Sequence, residues 1–403
     1  MSKNRIVIST TLALAASSQA YAGGLWLNQY GDFAAGRASA GASAGVDEAS
    51  TIIHNPASSM QTEGSQLFVA AGVILADIQF DIDETNPVNG NDDGGDAGLD
   101  APLAGFSYVH DTGSDKWSTG IYMAGLSGAG LEYNKDWVGR FQVTDVEILV
   151  LALAPTIAFQ LTDSFSVGAA AQFYYGSLDM KLAIPNIRPS VDHGQGELDG
   201  TDAGFGFALG AVYEFSDLTR VGINYQSEIE LDFDGKLKVP AGSVRVDSNT
   251  ELPLAQMVRL SLHHSLDEQI GFDFTIGWDD WSALDEVFVA LPARGASLKK
   301  SWEDTYHYAA GFQYKASDKW DITAGIAYDT NPVDARDRTA DLPVDRQIRY
   351  NIGARYALRN NLDLGGYANY TDLGSAKIRT DFWAGEYSSN SVIELGVYAN
   401  WRL

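Results

Sequence analysis

The sequence predicts an all-β fold: a transmembrane antiparallel β-barrel of about 14 strands with an N-terminal hatch that plugs its lumen. Three observations lead to this fold class. Many segments are apolar at every second residue, short and long connections alternate between those segments, and no stretch beyond the N-terminus approaches the roughly 18 apolar residues of a membrane helix. The 403-residue chain also has no cysteine and a formal net charge of −26. A disulfide framework is therefore excluded, and nucleic-acid binding is disfavoured because it needs a basic surface.

The N-terminus has the three parts of a secretory signal peptide. Lys3 and Arg5 give a basic start, residues 6–16 are mostly apolar, and Ala20-Tyr21-Ala22 is a small-x-small cleavage site. The apolar stretch is too short to span a bilayer as an anchor, which needs about 20 residues. We therefore expect a signal peptide at 1–22, a hatch at 23–64 and the barrel at 65–403.

The alternation is clearest at the C-terminal end. From Ile393 to Leu403 every second residue is apolar, and polar or small residues such as Glu394 and Asn400 lie between them, although Tyr398 is also on that face. Period two over such a length indicates a strand with one apolar and one polar face. Further runs of this kind lie at 205–215, 270–278, 320–328 and 348–356.

The connections between these runs are of two kinds. Short polar turns are expected at 112–116, 162–164, 216–217, 267–268, 317–319 and 359–361. Longer loops are expected at about 83–100, 127–142, 182–200, 234–252, 279–302, 329–345 and 371–390. A soluble β-sandwich also alternates, but long loops on one side only are typical of a membrane barrel. A ring of this size encloses a lumen that side chains alone cannot fill, so water or a plug must occupy it.

The segment from Gly23 to Gly64 does not alternate and is rich in glycine, alanine and serine. A solvated periplasmic tail is one interpretation. However, the segment carries Trp26, Tyr30 and Phe33, which a solvated tail would have little reason to contain. We therefore predict that it folds inside the barrel.

Several motifs resemble those of the FadL-type outer membrane long-chain fatty acid transporters, a family that also contains toluene and xylene uptake channels. They are Gly24-Leu25-Trp26-Leu27-Asn28-Gln29-Tyr30, Gly36-Arg37-Ala38-Ser39-Ala40-Gly41, His54-Asn55-Pro56-Ala57, Trp137-Val138-Gly139-Arg140-Phe141, Tyr225-Gln226-Ser227-Glu228-Ile229, Trp278-Asp279-Asp280-Trp281-Ser282 and much of 302–356. Together they cover essentially the whole mature chain. The resemblance implies a barrel of fourteen strands with an N-terminal hatch, in the outer membrane of a Gram-negative cell.

The resemblance also implies a function, namely passive uptake of long-chain fatty acids or related hydrophobic compounds. The ligand would be captured by the outer loops and released sideways through an opening near the third strand. An aromatic hydrocarbon channel of the same family and a general porin for small polar solutes are the alternatives. The expected partners are the hydrophobic ligand, outer-membrane lipid and lipopolysaccharide, with the protein as a monomer. No cofactor and no metal are expected.

The resemblance assigns candidate residues to three places. The hatch or gating residues are Leu25, Gly36, Arg37, Asn55, Pro56 and Ala57. The lateral opening is expected near Gly120, Gly125, Gly128 and Gly130, although ordinary lumen-side packing would also explain these glycines. Head-group candidates are Arg140, Lys299 and Lys300, with solvated loop lysines as the alternative for the pair.

One departure from the family concerns the ligand. Fatty acid transporters of the family have an arginine on the fifth strand that helps to hold the carboxylate. The rough register of this sequence places Ser177 there, which leaves room for a neutral hydrocarbon.

Two other motifs suggest different chemistry. Gly41-Ala42-Ser43-Ala44-Gly45 spells G-x-S-x-G, but that motif needs a preceding strand and a following helix, so we predict no enzyme and no catalytic residue. The acidic loop at 92–96 does not have the spacing of a calcium loop with a terminal glutamate. We expect it to be a solvated external loop.

Overall fold

The computed structural model describes residues 26, 27, 29–184, 194–239, 244–284, 286–289 and 296–403. The predicted signal peptide and Leu25 lie outside these residues. The strands are β1 Gln66–Glu84, β2 Ala101–Asp111, β3 Trp117–Glu132, β4 Asp145–Thr162, β5 Phe165–Ile184, β6 Gly194–Ser216, β7 Thr219–Gln226, β8 Ile229–Val239, β9 Val244–Leu254, β10 Met257–Ser265, β11 Ile270–Asp279, β12 Glu286–Val289, β13 Ala296–Lys299, β14 Thr305–Ser317, β15 Trp320–Asp329, β16 Gln347–Arg359, β17 Leu362–Asp372, β18 Ile378–Arg379 and β19 Ala384–Arg402.

Fourteen of these strands form a closed antiparallel ring. The order around the ring is β1 to β7, then β10, β11, β14, β15, β16, β17 and β19, which pairs with β1 again. Closure satisfies the backbone hydrogen bonds that an open edge would leave exposed to hydrocarbon. The predicted barrel and its strand number are confirmed.

The connections alternate as predicted. All six short turns join neighbouring ring strands on one side, and the long connections lie on the other. The β8–β9 hairpin, the β12–β13 hairpin and β18 belong to these long connections. No helix within the described residues is long and apolar enough to cross a membrane.

The two faces of the strands differ in chemistry. On β19, Ile393 and Val397 are exposed, 43 % and 65 %, whereas Glu394 and Asn400 are buried. The exposed residues of β6 and β16 include Phe205, Leu209 and Ile352. The apolar residues therefore face outwards, as a barrel surrounded by lipid requires, and the polar residues face the lumen.

The lumen is filled by the chain that precedes β1. Nearly every described residue from 26 to 59 is buried. This hatch contains the 3-10 helices Ala35–Arg37, Ala42–Ala44 and Pro56–Gln61 and one short helix, α1 Thr51–His54. Another 3-10 helix, Trp281–Ala283, lies in an outer connection. The buried core of the protein therefore lies between the hatch and the inner wall of the barrel.

Glycines in the wall allow the hatch to approach closely. A Cβ on Gly210 of β6 would lie 1.8 Å from Oδ1 of Asn55, and one on Gly222 of β7 would lie 1.8 Å from the carbonyl oxygen of Ser43. No side chain fits in either place. The inner surface of β6 and β7 is thus shaped to receive the hatch.

Candidate functional site

Asn55 is the most extensively bonded of the predicted hatch residues. Its Nδ2 donates to the carbonyl oxygen of Ser43 at 2.7 Å and lies 3.2 and 3.3 Å from those of Ala211 and Ile223 in the wall. Its Oδ1 accepts from the backbone N–H of Ala57 at 3.0 Å, which caps the 3-10 helix that begins at Pro56. Proline suits this first position because it has no N–H to satisfy. Asn55 therefore joins two turns of the hatch to β6 and β7.

Gly36 and Arg37 lie against the opposite part of the wall. A Cβ on Gly36 would be 2.7 Å from the Cα of Gly353, and a Cβ on Gly325 would be 2.3 Å from the carbonyl group of Arg37. The Arg37 guanidinium is buried; its Nε donates to the carbonyl of Ala40 at 2.7 Å and lies 3.6 Å from a carboxylate oxygen of Asp273. This segment is fixed by close backbone packing and by one buried ion pair.

Two acidic side chains form hydrogen bonds within the hatch. The carboxylate of Asp32 contacts Nε2 of His54 at 2.7 Å and also accepts from the N–H of Ala35. One carboxyl oxygen of Glu48 accepts from the N–H of Phe33 at 2.9 Å. Burial raises the pKa of Glu48 to about 8, even though the positive charge of Arg355 acts in the opposite direction. At neutral pH the Glu48 carboxyl is therefore largely protonated.

The wall of the barrel is interrupted at β3. Its ladder with β2 ends at the pair Gly105–Ala124, whereas its ladder with β4 continues to Glu132 with one extra residue, Leu126, between Gly125 and Ser127. Alternation is lost over residues 126–131, all of which are buried. An extra residue bends a strand, and burial on both faces means that this part of β3 has turned into the lumen. We call the space left between β2 residues 101–104 and β3 residues 125–132 the wall gap.

The hatch meets β3 at the wall gap. The N–H of Leu27 donates to the carbonyl of Leu126 at 2.8 Å, and Trp26 forms a β-bridge with Ser127. The indole N–H of Trp26 donates to the carbonyl of Ala255 at 2.9 Å. A small cavity of about 10 Å³ lies beside this contact and is lined mainly by apolar residues, including Leu103 and Leu151. The start of the hatch thus takes the place of a wall partner at Leu126 and Ser127 of β3, whereas Gly98 of the β1–β2 connection forms a bridge with Leu131.

The structure separates the four predicted glycines. Gly125 lies where the β2–β3 ladder ends, and Gly128 and Gly130 belong to the part of β3 that has turned inwards. Gly120 is paired on both sides, with Val109 and Thr156, and a Cβ there would be 2.9 Å from Ile52 of the hatch. Gly120 therefore lies beside the hatch and outside the wall gap.

The predicted head-group cations do not line the lumen together. The Arg140 guanidinium donates to carbonyl oxygens of its own and a neighbouring loop, those of Asn89, Val88 and Trp137 among them. Lys300 is buried, and its Nζ lies 2.6 and 2.7 Å from the two carboxylate oxygens of Asp341. The Lys299 side chain lies outside the described part. Both described cations hold outer loops, and this geometry favours a structural role for each.

The register of β5 differs from the expected one at Ser177. The neighbouring odd-numbered residues Phe173 and Tyr175 are 52 % and 50 % exposed, so Ser177 follows the outward face. The lumen side of this part of β5 is formed by Gln172, Tyr174 and Leu178, which are buried. β5 contains no arginine, so the inference that a fifth-strand arginine is missing is unchanged, and the cation that β5 does carry, Lys181, lies 3.1 Å from the Asp145 carboxylate.

A buried charge cluster near the outer end of the lumen was not found from the sequence. Arg259 of β10 forms a bidentate pair with Asp279, at 2.8 and 3.0 Å. Asp329 binds Nδ1 of His307 at 2.9 Å and Arg349 at 2.7 Å. All five are charged or titratable residues at lumen-facing positions of strands that otherwise alternate. This placement is the only feature of the sequence that indicates the cluster. Their pairing depends on which strands are neighbours.

Comparison with known proteins agrees with this architecture. Residues 13–388 match the family described as outer membrane protein transport protein (OMPP1/FadL/TodX). The chain is 26% identical to a long-chain fatty acid transport protein of Salmonella typhi, covering 94% of both chains, and 23% identical to outer membrane protein P1 of Haemophilus influenzae, covering 91% and 89%.

Two solved structures share the fold at low identity. A FadL homologue of Pseudomonas aeruginosa superposes with a TM-score of 0.87 at 18% identity, covering 94% of this chain and 99% of the other. The toluene transporter TodX of P. putida superposes with a TM-score of 0.71 at 17% identity, with the same coverage. The chain therefore belongs to the OMPP1/FadL/TodX family of outer membrane transport proteins, and it is an outer-membrane β-barrel with a plugged lumen.

Proposed function

We propose that this protein is a passive channel that takes up long-chain fatty acids or related hydrophobic compounds and releases them sideways through the wall gap. One observation carries the proposal: the β2–β3 ladder ends at the pair Gly105–Ala124, well before the end of β3, and just beyond that place the N–H of Leu27 in the hatch donates to the carbonyl of Leu126. A small movement of the hatch would therefore affect the wall gap directly. Curated relatives named long-chain fatty acid transport proteins and a structural neighbour named a toluene transporter support this ligand class.

The energy for capture comes from burial. A chain of sixteen carbons has about fourteen methylenes, and each favours an apolar environment by roughly 0.8 kcal/mol. The total, about 11 kcal/mol, is ample for capture without chemical energy. Aromatic side chains that could receive such a chain lie close together where the β11–β14 connection meets the start of the hatch. Trp281 is 6.5 Å from Trp26 and 5.5 Å from Trp302, measured between ring centroids.

Sideways release follows from the chemistry of the wall gap. Most of the residues that line the cavity beside it are apolar, Leu103 and Leu151 among them, and Gln29 and Tyr30 are the polar ones. A hydrophobic molecule that passed here would enter lipid without crossing water. The direct route through the barrel would have to displace the hatch and its buried hydrogen bonds.

The test is to close the wall gap. Leu126 is the extra residue of β3, so its deletion should restore the register with β4 and allow β3 to pair with β2 residues 101–104. We expect uptake of radiolabelled oleate by cells that lack their own transporter to fall to background. Oleate binding to the purified protein should remain, and ion conductance should stay low because the hatch still fills the lumen.

The matched control deletes another extra strand residue. Ala316 is unpaired in the β14–β15 ladder near a short turn, far along the ring from β3. Its deletion should leave uptake unchanged. Uptake at the normal rate by a folded Leu126-deleted barrel would contradict release through the wall gap.

Two other transport functions remain to be compared with this one. An aromatic hydrocarbon channel would take up toluene faster than oleate, and the lack of an arginine on β5 favours this alternative over a strict fatty acid channel. A general porin would conduct ions steadily without any change to the hatch, whose burial opposes that function. Parallel uptake of labelled oleate and toluene, together with planar-bilayer conductance, distinguishes the three.

We also propose that the protein has no esterase activity. Ser43 lies in the 3-10 helix Ala42–Ala44, and the residues before it form no strand. His54 and Ser43 both border one cavity, but among the described residues no hydrogen bond joins the Ser43 hydroxyl to His54, whose Nε2 contacts Asp32. A fluorophosphonate probe should leave the protein unlabelled. Covalent labelling of Ser43 would show that this proposal is wrong.

We infer further that the protein works as a monomer among lipid and lipopolysaccharide. The first and last strands of the described ring, β1 and β19, pair with each other, so the ring offers a second copy no terminal strand to extend. Native mass spectrometry from detergent should give the mass of one chain, and a stable dimer or trimer would contradict the inference.

A further inference from the structure

A row of buried polar side chains lies on the inner wall of the barrel, on β3, β5 and β7. We call it the inner polar row; its members are Tyr122 of β3, Gln172 and Tyr174 of β5, and Asn224 and Gln226 of β7. Nε2 of Gln172 lies 2.8 Å from the hydroxyl of Tyr122 and 3.4 Å from Oε1 of Gln226. All five side chains are at most 4 % exposed.

The inner polar row has unused hydrogen-bonding capacity. Among the described residues, the Tyr174 hydroxyl, Oδ1 of Asn224, Oε1 of Gln172 and Nε2 of Gln226 have no hydrogen-bond partner. Rotating both glutamine amides by half a turn keeps their mutual hydrogen bond and still leaves one donor, on Gln172, and one acceptor, on Gln226, free. Buried polar atoms without partners are costly, each by about 1–3 kcal/mol. A group that can both donate and accept would remove this cost.

The space beside the row suits a small polar group. Asn224 borders a cavity of about 30 Å³, which the hatch closes with Tyr30, Ser43 and His54. Met257, which pairs with Gln226 in the next strand, borders the same cavity. A volume of this size accommodates about one group the size of a water molecule or a hydroxyl.

The arginine and the two histidines that line this cavity each already have a carboxylate partner within the protein. Arg259 is paired with Asp279, His307 with Asp329 and His54 with Asp32, at 2.7 to 2.9 Å. A carboxylate that entered would therefore add a buried charge without a free cation to balance it, which is strongly unfavourable. A hydroxyl or carbonyl group would meet no such penalty.

We propose that the inner polar row binds an uncharged hydrogen-bonding group at the end of the transported ligand, such as a hydroxyl or a carbonyl. This inference rests on the proposed function, because it assumes that a hydrophobic ligand reaches the lumen. Tyr122 is two residues before the last β2–β3 pair, so a ligand held here would have its apolar tail next to the wall gap. The row thus selects alcohols, ketones or protonated acids over ionised acids and plain hydrocarbons.

The test compares three ligands with the same chain of sixteen carbons: hexadecan-1-ol, hexadecane, and palmitate at pH 9, where it is ionised. Equilibrium binding of the tritiated compounds to the purified barrel in amphipol is measured by scintillation proximity. We expect the alcohol to bind about fivefold to tenfold more tightly than the alkane, as one net hydrogen bond would give. Ionised palmitate should bind more weakly than the alcohol.

Variants separate the row from general effects of the lumen. Tyr174→Phe combined with Gln226→Leu should reduce alcohol binding to the level of the alkane and leave the alkane unchanged. The matched control is Tyr398→Phe combined with Asn369→Leu. Tyr398 and Asn369 are equally buried, the Tyr398 hydroxyl is also without a partner among the described residues, and both belong to strands β19 and β17, away from the row. The control should bind all three ligands normally.

The outcomes distinguish this inference from the proposed function. Equal binding of alcohol and alkane, tightest binding of ionised palmitate, or normal alcohol binding by the row variant would overturn the inference and leave uptake of hydrophobic compounds standing. Failure of all three ligands to bind the folded barrel would overturn both. Heat-dependent migration on denaturing gels shows that each variant is folded.

Discussion

The Asn55 side chain should control how firmly the hatch is held in the lumen. Replacing Asn55 with alanine removes two hydrogen bonds. In one, the Asn55 Nδ2 donates to the carbonyl of Ser43 at 2.7 Å, and in the other, the Asn55 Oδ1 accepts from the N–H of Ala57 at 3.0 Å. Both groups are buried, so each loses a partner that water cannot readily replace. The helix cap accounts for about 1 kcal/mol, and a buried carbonyl without its partner costs about 1–3 kcal/mol. We therefore expect the seated hatch to be destabilised by about 2–4 kcal/mol.

This loss can be converted into a population. Each 1.4 kcal/mol changes an equilibrium constant about tenfold, so the unseated hatch should become about 30-fold to several hundred-fold more frequent. Because the chain has no cysteine, Ser58→Cys gives a single thiol to report this population. Ser58 is fully buried in the hatch, and its hydroxyl has no partner among the described residues, so cysteine should be tolerated there. Maleimide labelling of Ser58→Cys should accelerate by the same factor in the presence of Asn55→Ala.

The matched control is Asn369→Ala. Asn369 is a buried lumen-facing asparagine whose Nδ2 bonds to Thr371 of its own strand at 3.0 Å. The substitution Asn369→Ala should not change the rate of maleimide labelling of Ser58→Cys. If Asn55→Ala labelled no faster than the Ser58→Cys parent, in a barrel that migrates as folded, the assignment of Asn55 as the anchor of the hatch would be refuted.

Three further predictions concern the hatch and the outer loops. Removal of residues 23–64 should raise planar-bilayer conductance from negligible to steady; an unchanged low conductance would mean that something else blocks the lumen. Burial raises the pKa of Glu48 to about 8, so the seated hatch loses stability as pH rises from about 4.5 to 8, by up to about 1.4 kcal/mol per pH unit. The rate of maleimide labelling of Ser58→Cys, corrected for the thiolate fraction, should rise over this pH range and level off above it. Glu48→Gln should abolish this rise in rate. Lys300→Met leaves buried Asp341 unpaired, which should cost about 3–5 kcal/mol locally and expose the outer loops to protease, whereas the double variant with Asp341→Leu should recover resistance.

The barrel could be predicted from the sequence because its signal is local. A strand places alternate side chains on opposite faces whatever its partners are, so Ile393 and Val397 identify the lipid side without knowledge of the neighbouring strand. The short turns are equally local, and all six lie where the sequence predicts them. The burial of the hatch followed from Trp26 and Phe33, which have no reason to be in a solvated segment.

The candidate site was predicted only in part. The role of the hatch motif around Asn55 stays a prediction, and its bonds to Ser43, Ala211 and Ile223 join residues far apart in the chain. The register read from the sequence placed Ser177 on the wrong face of β5, because an error of one residue in the register exchanges the two faces of a strand. Arg140 and Lys300 were chosen for their charge. In the structure the Arg140 guanidinium donates to loop carbonyls, and the Lys300 ammonium is paired with the Asp341 carboxylate.

The sequence by itself determined the period of the strands, the one-sided loops and the presence of an unusual segment before the barrel, since each depends on residues close together in the chain. The export signal stays a prediction from the sequence. Only the tertiary structure decided where β3 leaves β2, which part of the hatch fills that place, and which polar side chains remain without partners in the lumen. These features depend on the pairing of strands and on the seating of the hatch. A pattern along a single strand carries no information about strand pairing or about the seating of the hatch. Alternation shows on which face of the strand a residue lies, but it does not show what lies opposite that residue.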